Sequence, residues 1–101
     1  DADPSTPAGF ARAVGATNLP DMMAAAAGYM TMIDGADRIS RQQIMSMVQT
    51  IAGGGAISAE AKVKAFGKLV RSGQIIRAEG GSFFLSAEAA EEFQEKLNEM
   101  V

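Results

Sequence analysis

"KLVRSGQIIRAEGGSFFLS", residues 68–86, decides how this chain reads. A helix-like run ends at Gly73, two apolar bursts follow with Gly80 and Gly81 between them, and Ser86 closes the phrase. Gly73 fits the left-handed position just past a helix end, and Arg71 before it places a cation where the helix dipole favours one. The bursts at residues 74–78 and 82–86 predict two short strands. With Gly80-Gly81 as the centre of a two-residue turn, their pairing is fixed. On that register Ile76, Ala78, Phe83 and Leu85 share an apolar face that lies on a core. Ile75, Arg77, Phe84 and Ser86 share the other face.

Upstream, Val63, Phe66, Leu69 and Val70 recur at helical spacing, and Ser58 and Glu60 mark the start of that helix. "ISRQQI", residues 39–44, carries a capping box of Ser40 and Gln43 and a hydrophobic staple of Ile39 and Ile44. Ile44, Met47, Val48 and Ile51 then fall on one helix face, and Gly53-Gly54-Gly55 ends the run. An earlier helix opens at Pro20, carries Met22, Met23, Ala26, Met30 and Ile33 at helical spacing, and stops at Asp34-Gly35. Gly28 within it points to close approach of a neighbour. Residues 8–16 predict one or two helical turns that hold Phe10 and Val14 on the core, with Gly15 as the stop. Downstream, Ser86 caps a last helix with Ala90, Phe93, Leu97 and Val101 at four-residue spacing. Residues 1–7, polar and Pro-bearing, read as a flexible lead-in to a single domain over 8–101.

The fold class is therefore mainly α with a two-stranded β-hairpin (α+β): four principal helices, a short extra one near the N-terminus, and the hairpin. Helix, capped helix, helix, Gly, hairpin is the order of the winged-helix domains, which residues 38–86 resemble. "SRQQIMSMVQTI" resembles their second helix, "SAEAKVKAFGKLVRSG" their third, and "QIIRAEGGSFFLS" their wing. The same ending is similar to that of small uncharacterised bacterial proteins. One departure is the link "AGGGAI", longer and looser than the turn of a tight helix-turn-helix.

Composition narrows the chemistry. The 101 residues are 48% hydrophobic, with seven Met, five Phe, one Tyr, and neither Cys nor His. Without Cys or His, disulfides, Cys/His zinc sites, catalytic triads and thiolate nucleophiles are excluded. "AGGGAI" lacks the Lys-Ser/Thr of a phosphate-cradling loop, and Asp34 and Asp37 lack calcium-loop spacing. The expectation is a non-enzymatic module with no cofactor and no metal. No apolar window is long enough to span a bilayer, so no membrane partner is expected, and the lack of Cys suits a cytoplasmic location.

Net charge is −3, but it is segregated. Residues 1–37 hold five Asp against Arg12, and residues 79–101 hold six Glu against Lys96. Between them lie seven cations against Glu60. The resemblance implies double-stranded DNA as partner, with the third helix in the major groove and the wing on the backbone. Carried over by position, Lys64, Lys68 and Arg71 fall within about 60° of one another on the exposed side of that helix. Arg77 on the outer wing face and Arg41 at the start of the second helix complete the candidate nucleic-acid set. Residues able to read bases are few: Gln42, Gln43, Gln74 and Arg71. The alternative is a protein partner or self-association through Ile75 and Phe84, an apolar patch on the outer wing, or through the Met-rich helices. Against both stands the ordinary solvated helix face, on which Glu60 pairs with Lys64 and Lys62 snorkels.

Overall fold

Residues 23–30 are all buried, so one helix runs through the middle of the molecule with neighbours on every side. This is a computed structural model that describes residues 5–53, 55 and 57–99. The helix, α2 (Leu19–Met32), begins at an Asn18 cap and carries Pro20 in its first turn, as its sequence predicts. The expected apolar stripe is instead a whole apolar circumference, because Ala24, Ala25, Ala26, Ala27 and Gly28 are small enough to admit packing from all directions. Ile33, placed on the stripe by spacing, lies beyond the helix and is 40% exposed.

Around α2 stand α1 (Pro7–Ala13), α3 (Arg41–Ile51), α4 (Ala59–Ser72) and α5 (Ala87–Asn98). Phe10 of α1 is fully buried and meets Tyr29 and Phe93 edge-on, with ring centroids 6.0 and 5.8 Å away. The helix starts at Pro7, the last residue of the expected lead-in, and Thr6 caps it by accepting from the Gly9 N–H. The Tyr29 hydroxyl donates to the Ser5 carbonyl at 3.0 Å, which ties this entry to α2. Residues 1–4 of that segment lie outside the described residues, as does Val101 on the predicted face of α5. Part of the "AGGGAI" link also does, at residues 54 and 56.

The capping signals hold. Ser40 and Gln43 exchange both bonds of the capping box, at 3.0 and 2.8 Å. Ser58 and Ser86 accept from the N–H groups of Ala61 and Ala89. Gly73 takes the left-handed conformation at φ 80°, and the Gln74 N–H reaches back to the Leu69 carbonyl at 3.2 Å to close the end of α4.

The sheet differs from expectation in two ways. It has three strands, because β1 (Ile39–Ser40) pairs antiparallel with β3 (Ser82–Leu85), which also pairs with β2 (Ile75–Arg77), in the order β1-β3-β2. The hairpin register is shifted by one residue: Ile75 faces Leu85, Ile76 faces Phe84 and Arg77 faces Phe83. The cause is the turn. Ala78 N–H bonds the Ser82 carbonyl at 2.8 Å, so Glu79, Gly80 and Gly81 form a three-residue loop, with both glycines at positive φ. A one-residue slip exchanges faces. Ile75 is consequently 1% exposed in the core beside Leu85, whereas Ile76 is 41% exposed on the outer face beside Phe84.

The observed register has a direct consequence for substitutions. Ile75→Ala should cost about 2–4 kcal/mol in chemical denaturation, as buried Ile-to-Ala changes do, and Ile76→Ala well under 1 kcal/mol. The reverse ranking would restore the two-residue turn. At Gly28, an added Cβ would lie 2.6 Å from the Phe93 ring. Gly28→Ala should therefore destabilise despite Ala's gain of about 1 kcal/mol in helix propensity, because overpacking costs about 1–3 kcal/mol. In a Phe93→Ala background, the same substitution should lose most of its penalty, as a urea-denaturation cycle would show.

Candidate functional site

Helix α4 places its side chains on two contrasting sides. Ala65, Phe66 and Leu69 are buried against α2 and the sheet, while Lys64, Lys68 and Arg71 are exposed along the opposite side, as the wheel predicts. Glu60 joins this stripe one turn earlier, its carboxylate 3.9 Å from the Lys64 ammonium, with both side chains about four-fifths exposed at 84% and 79%. Such a pair is long and solvated, and it holds neither group firmly. Arg71 folds back along the helix: its guanidinium comes within 3.1 Å of where Gly67 would carry a Cβ. The absence of a side chain at residue 67 lets that head group lie over the helix, one turn back towards the lysines.

Arg41 and Arg77 sit elsewhere. The Arg41 guanidinium lies over the Phe66 ring at 5.4 Å, and the Arg77 guanidinium over Phe83 at 5.7 Å. The two rings meet edge-on at 4.9 Å and 87°. The result is a ladder of cation, ring, ring, cation that ties the start of α3 to α4 and to the edge strand β2. Each cation–ring contact at an exposed site is worth about 0.5–1 kcal/mol. Arg77 is thus not on the outer wing face. The register shift moves it into the row of Phe83 and Ile39, at the open edge of the sheet. Since Phe66 lies across α4 from Lys64, Lys68 and Arg71, the five candidate cations form two groups, three on the stripe and two on the ladder.

The apolar candidate pair changes as well. Ile75 is buried and unavailable to a partner. Phe84 is half-buried in a shallow recess beside Thr31, Ala36, Asp37 and Arg38, flanked by the end of α2 and the following loop. The outer patch that remains is Phe84 with Ile76.

Two features went unread in the sequence. One is β1, two residues long and hidden inside the staple-and-cap signal of Ile39 and Ser40. The other is Val63, assigned by spacing to the apolar face of α4 yet 50% exposed. With Met45 and Ala59 it lines a groove of about 480 Å³ between the first turns of α3 and α4, edged by Arg41, Gln42 and Lys62. The signal that could have found it is Lys62 itself, a cation next to Val63 on a nominally apolar side.

Among the described residues no group of three or more His, Cys, Asp or Glu side chains could hold a metal ion, and no helix is long and apolar enough to cross a membrane. Comparison with known proteins returns no match to a family model, a curated protein or a solved structure.

The ladder has a spectroscopic signature. Ring currents should move the side-chain resonances of Arg41 and Arg77 upfield in proton NMR. Phe83→Leu should abolish the Arg77 shift while leaving most of that at Arg41. Random-coil positions for both arginines in the unsubstituted chain would refute the stacking.

Proposed function

We propose that the chain is a non-enzymatic, winged-helix-like module that binds double-stranded DNA. Lys64, Lys68 and Arg71 on α4 make the principal phosphate contacts, and Arg77 adds a contact from the edge of the wing. The element order α2, β1, α3, α4, β2, β3, with a capped helix before α4 and Gly73 after it, supports the winged-helix reading. A cytoplasmic location fits a chain without cysteine.

The observation that carries the proposal is the stripe itself: three exposed cations on one side of one helix, with Glu60 as the acid placed against them. A row of this kind neutralises phosphates and releases their counterions, the part of affinity that is indifferent to sequence. Amides for base reading are correspondingly scarce. The Gln43 side-chain oxygen is committed to the Ser40 N–H, which leaves Gln42 exposed and Gln74 half-buried. Recognition on this reading is of the backbone rather than of base edges. The Glu-rich surface of α5 repels a duplex, which favours an approach along α4 over any broader wrapping.

A salt titration of duplex binding tests the reading. Affinity should fall steeply with salt, and Lys68→Ala combined with Arg71→Ala should reduce the log–log slope by about two. No binding at low salt, or an unchanged slope in the double variant, would end it.

A further inference from the structure

The groove between the first turns of α3 and α4 combines two properties found together nowhere else on the candidate surfaces. Its floor is apolar, made of Met45, Ala59 and Val63, and its charged edge is purely cationic, from Arg41 and Lys62. Among the described residues no carboxylate lines it; Glu60, one turn before Val63 on α4, pairs with Lys64 instead. It is a shallow, open trough of about 480 Å³, a shape that suits a segment lying across it better than an enclosed small molecule. Val63 stands half in water at its base, an aliphatic surface that a ligand would cover. Arg41 is held in advance by its contact with the Phe66 ring, so less ordering remains to be done when an anion arrives.

We infer that this groove docks an acidic, amphipathic helical segment of a partner protein. Apolar side chains at i, i+3 or i+4, and i+7 enter between Met45 and Val63, and flanking carboxylates pair with Arg41 and Lys62. Charge complementarity selects an acidic occupant, and the apolar floor selects one with bulky anchors. A duplex satisfies the first condition and not the second, since phosphates and sugars would leave Met45 and Val63 without an apolar partner. A second copy of this chain is equally poor. Its acidic helix α5 turns Phe93 and Leu97 onto its own core and offers glutamates without an anchor. The inference stands apart from the duplex reading, because Lys64, Lys68 and Arg71 take no part in the groove.

The test uses the full chain and a synthetic fluorescent peptide, helix-prone, with Leu at i, i+3, i+4 and i+7 and Glu at the other exposed positions. Anisotropy should show saturable binding, and amide shift changes should centre on Met45, Ala59 and Val63. Val63→Asp should weaken binding at least about tenfold, a loss of about 1.4 kcal/mol, and so should Arg41→Glu with Lys62→Glu. Lys68→Ala with Arg71→Ala should leave the peptide's shift changes centred on Met45, Ala59 and Val63, and the uncharged Val63→Ser should leave duplex binding unchanged. If Val63→Asp disturbs the circular dichroism spectrum, the charge-reversal pair decides, or Lys62→Glu alone where the loss of the Arg41 contact with Phe66 disturbs it too. The inference is overturned by absent or non-saturable binding, or by equal affinity for a peptide with Lys in place of Glu. Shift changes confined to the stripe of Lys64, Lys68 and Arg71, or self-association that buries Val63, would overturn it too.

Discussion

The all-round burial of α2 is the constraint on which the other elements depend. A helix with large side chains would hold its neighbours at ordinary distances and leave one flank to solvent. The run Ala24–Ala25–Ala26–Ala27–Gly28 instead lets them in close, and Phe93 rests where a side chain on residue 28 would be. Two of the three rings packed here come from outside: Phe10 and Phe93 supply volume beside the alanines, and Tyr29 of α2 itself meets Phe10 edge-on. The core is thus a thin central post with bulky cladding, and α3, α4 and the sheet take their positions from what can reach the post.

Legibility in the sequence followed the range of the interaction. Helix starts were readable because Ser40, Ser58 and Ser86 bond a backbone three residues away, and helix ends because Gly73 has a conformation of its own. The hairpin was readable as a hairpin but not in register. A Gly-Gly pair fits a two-residue turn as well as a three-residue loop, and the choice is made by which isoleucine the core accepts. Ile75 fits beside Leu85 under α4; that is tertiary information. The strand β1 exists only because β3 offers it an edge, so no local pattern announces it.

The candidate site was legible in the same proportion. Helical spacing placed Lys64, Lys68 and Arg71 together correctly because a helix wheel is a local object. It could not place Arg41 or Arg77, whose positions are set by rings contributed from α4 and β3. Nor could it expose Val63, since burial there depends on whether α3 covers the first turn of α4. The first turns of the two helices leave that space open, and the surface most like a docking cleft arises there.

Each of the five described helices begins with a side chain that accepts from the N–H three residues on: Thr6, Asn18, Ser40, Ser58 and Ser86. The start of every rod is consequently encoded where it stands, without help from the connector before it. Connectors are then free to vary in length, since closing a longer one costs only about 0.6 kcal/mol per doubling. The stretch between Ala52 and Ser58 is the place where this freedom matters most, because α4 would begin at Ser58 whatever preceded it. Lengthening or shortening that joint would thus change the reach between α3 and α4 without erasing the signal that starts α4.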